Sequence, residues 1–550
     1  MGCRKYPERQ PLSAVYCWSK SMRTRLLIAI TAFPAFIAGC DNVACDLSLI
    51  DSGKAGAAEV FRSCSRKAQN GDALAQNTLG IMYASGQGTV QNYAEAAKWY
   101  RKAAEQGNAT AQNNLGNKYY NGQGVEQNYS EAVKWYRKAA DQGNAKAQNQ
   151  LGQMYRNGQG VEQNYTEAVK WYRKASDQGN VYAQSNLGDM YYNGYGVEQN
   201  YAEAVGWYKK AADQGNAVAQ NELGQMYRNG RGVEQNYTEA VKWYRKASDQ
   251  GNVYAQSNLG DMYYNGYGVE QNYAEAFGWY KKAADQGNSY AQYSLGYIYA
   301  NGQGVEQNYT EAVKWLRKSA DQGNSYAQFY LALSYANGEG VEQNYTEAAK
   351  WYRKAADQGL DAAQVNLGVL YCQGQGVDQN YSEAVRWYKK AASQGYDTAQ
   401  NNLGSMYFNG TGVEQDYSEA AKWYRKAASQ GYANAQNSLG NMYFNGQGVP
   451  QNYAEAAKWY RKAASHGQVD AQSNLGVMYY NGYGVEQNYA EAFKLYKQAA
   501  DRGNAKAQNN LGWLYFTGMG VPMDRSIARS WFRVSCQNGE QLACNNLRLR

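Results

Sequence analysis

Apolar and polar residues fall in a pattern that returns every 36 residues from Asp72 to Gly539, thirteen times without insertion or deletion. The step Leu79-Gly80 marks the register and recurs at Leu115-Gly116, Leu151-Gly152 and onward to Leu511-Gly512, with Ala332 as the one break in the glycine. Within Asn108 to Gly143, Ala111, Leu115 and Tyr119 lie at i, i+4, i+8, which predicts a helix over 111–121. Gly122 and Gly124 end it, since glycine accepts the positive φ of a helix terminus. Asn128 with Glu131 three residues on has capping-box spacing for a second helix. Its buried stripe is read as Ala132, Trp135, Tyr136 and Ala139. Each unit is therefore an αα-hairpin, and a period of this length predicts an all-α solenoid.

The residues of this unit resemble the Sel1-like repeat, a relative of the tetratricopeptide repeat. The resemblance rests on Ala111, Leu115-Gly116, Tyr119, Gly122-x-Gly124-Val125, Ala132, Trp135-Tyr136, Ala139-Ala140 and Gly143, and the thirteen units that carry it take up most of the chain. It implies a right-handed α-superhelix of helix-turn-helix repeats that acts as an adaptor or scaffold for other proteins, often at membranes. The helix-A glycine is expected to make room for the tryptophan of helix B, and the Tyr83 and Tyr119 series is expected to be core.

The ends depart from the period, as the ends of a solenoid must. Residues 57–71 read as a lone capping helix before repeats 72–539, and 540–550 as another after them. Residues Gln150 to Ala217 return almost unchanged at Glu222 to Ser289, so a two-repeat block has been copied within the chain.

Residues 1–39 read as a signal peptide: Arg23 and Arg25 precede an apolar run, Leu26 to Ala38, too short to span a bilayer. Met22 would start a signal of ordinary length, so 1–21 is read as upstream sequence. Ile37-Ala38-Gly39-Cys40 resembles the lipobox of bacterial lipoproteins, which implies a lipidated Cys40 and a tether over 40–56. Asp41 then favours the periplasmic side of the inner membrane over the outer membrane.

Charge excludes little. The net charge is +8, of which five units come from residues 1–39 (Arg4, Lys5, Arg9, Lys20, Arg23 and Arg25 against Glu8), so no basic stripe for nucleic acid is expected. His466 is the only histidine and sits in a surface loop, which leaves no histidine-based triad or histidine-rich metal site. The Ser-x-x-Lys, Ser-Asp-Asn and Lys-Thr-Gly motifs of β-lactam enzymes are absent from the sequence. The chain is therefore expected to be a non-enzyme without cofactor or metal, and a monomer whose partner is a protein or peptide. A surface-exposed factor for a host or extracellular ligand is the alternative; a β-lactam- or cell-wall-active enzyme is a third reading.

Cysteine-rich relatives staple helices with the spacing of Cys536 and Cys544, so the resemblance implies a disulfide there. Cys45 with Cys64 is a second candidate pair, which leaves Cys372 over. The candidate binding surface is aromatic. The position after the Tyr119 series varies as Tyr120, Arg156, Tyr192, Arg228, Tyr264 and shrinks to Ala300 and Ala336 in repeats seven and eight. Those two repeats bring Tyr290, Tyr293, Tyr297, Tyr326, Phe329 and Tyr330 instead. In related solenoids the first helices line the concave face, so the resemblance implies that this row, with a groove at repeats seven and eight, lies there, where tyrosine and arginine suit interface hot spots; packing between repeats is the other reading of the row.

Overall fold

The computed structural model describes residues 44–548; the signal, Cys40 and Asp41 lie outside them. Among the described residues there are 29 helices and no strand. They fall into two compact units that divide between Asn144 and Ala145. In the first, Ser48–Asp51 and Ala57–Gln69 precede two hairpins. Val60, Cys64 and Ala68 of Ala57–Gln69 pack on Ala75, Leu79 and Met82 of the first repeat, which would otherwise expose that face. The second unit holds eleven hairpins, from Ala145–Asn157 onward, and closes with Gln541–Asn546.

Each repeat is two helices of thirteen residues with the same punctuation. Helix A of the second repeat, Ala109–Asn121, starts at Asn108, whose Oδ1 accepts the Ala111 N–H at 2.8 Å. It stops at Gly122, with φ 67°. Gly124 has φ 76°, and a Cβ there would sit 2.2 Å from the Tyr93 carbonyl carbon, so the hairpin turn seats only glycine. Helix B, Tyr129–Asp141, starts at Asn128, which accepts the Glu131 N–H at 3.0 Å. The expected capping box is half made: the Glu131 carboxylate turns outward to Lys134.

The core corrects two expectations. The glycine of helix A packs against the tyrosine of helix B, not its tryptophan: a Cβ on Gly116 would lie 2.7 Å from the Tyr136 ring. Leu316 takes the tyrosine's place in repeat seven and Phe532 in repeat thirteen. Tyr136, Tyr172, Tyr208 and Tyr244 are among the largest fully buried side chains, whereas Trp135 is half-buried and carries Lys138 Nζ 4.3 Å from its ring centroid. Only Trp243, Trp315, Trp351 and Trp387 among the described tryptophans are buried. The Tyr119 series is half-buried as well. Where the preceding helix B carries an arginine, the hydroxyl can meet it, as in the pairs Arg101–Tyr119, Arg173–Tyr191 and Arg245–Tyr263. A phenol keeps its ring in apolar packing and its hydroxyl on a polar partner.

A buried polar ladder was not foreseen. Gln112, 4% exposed, donates to the Ala104 carbonyl of the preceding helix B at 3.0 Å and accepts from Gln142 at 2.7 Å. The same bridge recurs through Gln214–Gln184, Gln286–Gln256 and Gln358–Gln328. A buried amide without partners is costly, so this residue locks repeat to repeat only in one register. His466 is exposed and takes a ladder position, its Nδ1 3.1 Å from Gln436 Oε1. One repeat later Arg502 turns to the Gly467 carbonyl, and Gln472 Oε1 is left without a partner.

Cys45 is bonded to Cys64 and Cys536 to Cys544, tying each terminal segment to its neighbour. Cys372 is free and half-buried, its Sγ 3.7 Å from the Tyr388 hydroxyl.

Candidate interaction surface

Neighbouring A helices place the twelfth residue of one helix against the ninth of the next, and that diagonal carries two chemistries. In the copied block it is an ion pair. Arg156 Nη1 lies 3.3 Å from Asp189 Oδ2, and Arg228 Nη1 lies 3.4 Å from Asp261 Oδ2. Each carboxylate also accepts a hydroxyl from the core tyrosine beneath it, Tyr208 at 2.9 Å and Tyr280 at 2.7 Å. Burial raises the Asp189 carboxyl above the usual carboxylate range, against the pull of Arg156 and Tyr208. Arg156 and Arg228, candidate surface residues in the sequence, are thus held in ion pairs between repeats. Asp189 and Asp261 were missed in the sequence. Their signal was present: both open the Asp-Met-Tyr-Tyr that repeats four and six share.

Tyr192 and Tyr264 rest edge-on against Tyr201 and Tyr273, with ring centroids 5.3 and 5.2 Å apart. Tyr120 tilts against Tyr129 at 5.3 Å. The Arg231 guanidinium lies over Tyr192, 5.8 Å from its centroid, and reaches its hydroxyl. The Tyr264 hydroxyl donates to Gln303 Oε1 at 2.6 Å, and burial with the nearby Tyr297 pushes its pKa up to about 12.

In repeats seven and eight the twelfth position shrinks to Ala300 and Ala336, and a mesh of rings forms from other helix-A positions. Tyr293 of helix Ser289–Asn301 lies 6.2 Å from Tyr290, 6.4 Å from Tyr297, 6.0 Å from Tyr326 and 5.8 Å from Tyr330. Tyr297 meets Tyr330 edge-on at 5.6 Å, and Phe329 meets Tyr330 at 5.3 Å. All six residues singled out in the sequence come together. They form a patch of mutually packed rings where a groove was expected. Phe329 also abuts the core Tyr352 at 5.7 Å, and Tyr293, Phe329 and Tyr330 pack on the buried core. Tyr326, at 42% exposure, is the most outward of them; Tyr290 and Tyr297 are half-buried.

No helix among the described residues is long and apolar enough to cross a membrane. The described residues hold no cluster of histidine, cysteine or acidic groups that could bind a metal ion.

Thirteen consecutive windows, 73–108 through 505–540, match the family model of the Sel1 repeat. A crystal structure described as c5321, a protective antigen of uropathogenic Escherichia coli strains with an SLR fold, is 37% identical, with a TM-score of 0.66. The match covers 89% of this chain and 97% of that one. A Sel1 repeat protein from Oxalobacter formigenes is 35% identical over 44% of this chain and 96% of its own, with a TM-score of 0.41. No curated protein sequence matches the chain.

Proposed function

The chain belongs to the Sel1 repeat family, and we propose that it is a membrane-anchored periplasmic lipoprotein whose A-helix face assembles other proteins. Sel1-repeat proteins are generally protein-interaction scaffolds, and solenoids of this kind are typically not enzymes. The observation that carries the reading is the aromatic patch of repeats seven and eight. The neighbouring repeats hold Asn221, Ser257, Val365 and Asn401 where these two have Tyr293 and Phe329, so the patch breaks the period. Anchoring is supported by Arg23, Arg25, the apolar run and Ile37-Ala38-Gly39-Cys40. Several acyl chains on one cysteine hold a protein where a single chain does not. Asp41 supports the inner membrane.

The test is crosslinking in intact cells followed by mass spectrometry. Crosslinks from one protein concentrated between Tyr290 and Tyr330 support the proposal; crosslinks spread evenly over all repeats would refute it. Cys40→Ala should abolish labelling by a fatty-acid analogue, and equal labelling of variant and parent would sink the anchor. A second reading, a surface-exposed factor for a host ligand, draws on the likeness to the protective antigen of uropathogenic strains. Protease treatment of whole cells separates the two: degradation without lysis would favour surface exposure.

A further inference from the structure

Helix B of twelve repeats carries a glutamate in its first turn, from Glu95 to Glu491. Ten of these carboxylates pair with a Lys or Arg three residues on. Glu203 and Glu275 are the two left over, because Gly206 and Gly278 stand where the others have the basic residue. Both glycines are exposed in the middle of a helix, and a Cβ at either would meet nothing within 4 Å. Packing therefore gives no reason for glycine, the poorest helix former after proline. Glycine does permit another chain to approach the backbone closely.

Beside Glu203 lies a cleft of about 700 Å³, lined in part by Arg173, Tyr191, Val197, Glu198 and Trp207. Lys210 covers one face of Trp207 at 3.9 Å, and Arg173 is turned to the Tyr191 hydroxyl. Two carboxylates, Glu198 and Glu203, thus face one engaged guanidinium. The second copy of the block has the same residue types at the equivalent positions, Arg245, Tyr263, Glu270 and Trp279, with Arg245 again on Tyr263.

We propose that Glu203 and Glu275 are paired docking sites for lysine side chains of a partner polypeptide. The partner's ammonium takes the place that the chain's own lysine holds in the other repeats. Those repeats show that a lysine fits this carboxylate, as in Lys170–Glu167 and Lys242–Glu239. Bare glycine lets the partner backbone lie against the helix, and Tyr191 and Trp207 offer aromatic surface to the lysine stem. The sites are two repeats apart, on the order of 20 Å at about one helix diameter per repeat, which an extended chain spans in about six residues. This surface lies on helix B and does not depend on the aromatic patch.

The test uses the full chain and a capped glycine-serine peptide with two lysines about six residues apart. Binding is followed by fluorescence anisotropy, and carbodiimide coupling maps which carboxylates are reached. The peptide should bind, should couple at Glu203 and Glu275, and should lose affinity when its lysines are acetylated. Gly206→Lys with Gly278→Lys restores the repeat's own pattern, so the chain stays folded while binding falls by about tenfold, the effect of two modest ion pairs. Tyr326→Ala should leave binding unchanged, which keeps this result separate from the patch. Absence of binding, an unaffected double-lysine variant, or coupling spread over all twelve glutamates would overturn the proposal. So would equal affinity for a diamine of the same span, which would assign the sites to free polyamines.

Discussion

The copied block of repeats three to six and the aromatic pair of repeats seven and eight fill the contact between neighbouring A helices with opposite chemistries. In the block, Arg156–Asp189 and Arg228–Asp261 close the diagonal with charge, and each carboxylate is anchored to a core tyrosine. Further along, Tyr264, Tyr297 and Tyr330 follow one another as a chain of phenols. Backbone and helix lengths are the same in both regions. The contact between A helices is free to vary because the tyrosine–glycine contact already holds each hairpin and the glutamine ladder joins one repeat to the next. What fills it decides what the surface offers to others.

The sharpest break in this comparison should come from Asp261→Ala. It strands a guanidinium and a phenol in a setting where the Asp261 side chain is only 10% exposed, so a loss of about 3 kcal/mol is expected. Asp189→Ala should cost less, because that carboxylate is 29% exposed. Paired urea melts of the two variants check the order; equal or negligible losses would show that the ion pairs do not join the repeats.

Next in size is the glycine contact. Gly260→Ala in the block places a Cβ 2.8 Å from the Tyr280 ring and should cost about 1–3 kcal/mol by overpacking. Repeat eight already holds a buried Ala332 at this position. There Ala332→Gly should destabilise by about 1 kcal/mol through helix propensity alone. A Gly260→Ala chain as stable as the parent in a thermal melt would show that the tyrosine can move aside.

The aromatic region should separate into packing and surface. Phe329→Ala should lower the melting temperature, because the ring abuts Tyr352 and the core. Tyr326→Ala should leave melting unchanged and weaken the crosslinked partner by about 2 kcal/mol, or roughly thirtyfold, if Tyr326 is a hot spot. If both variants only melt earlier, the patch is core. If neither alters crosslinking, partners dock elsewhere.

The smallest effect is alkaline. Tyr264 holds its proton to about pH 12 in the folded chain, against about 10 when unfolded. Its contribution is intact below about pH 10 and is lost as pH rises toward about 12, since only the unfolded phenol ionises in that window. Tyr264→Phe should flatten the fall in stability between those values. An identical pH profile in parent and variant would show that Tyr264 is ordinary.

Much of this could be read from the chain. Leu115-Gly116, Gly122-x-Gly124 and Asn128 set helix, turn and cap within a few residues of one another, and such local signals survive without tertiary context. The six aromatics of repeats seven and eight were visible as a departure from the period. The partner of the glycine was not: Trp135 and Tyr136 are adjacent, and only the rotation of helix B against helix A decides which one turns inward. The partners of Arg156 and Arg228 were hidden for the same reason, since Asp189 and Asp261 lie on the helix A of the following repeat.

By itself, then, the sequence determined the hairpin, its length, its thirteenfold repetition and the chemical types along each helix face, because these follow from periodicity and backbone punctuation. It also shows the lysine missing at Gly206 and Gly278, although a missing residue has no meaning until its neighbours are placed. The tertiary structure alone decided which side chains meet between helices: tyrosine under glycine, glutamine on glutamine, arginine on aspartate, ring on ring. Those pairings join one helix to the next or one repeat to the next. They depend on the angle at which each hairpin stacks on its neighbour, which no local pattern encodes.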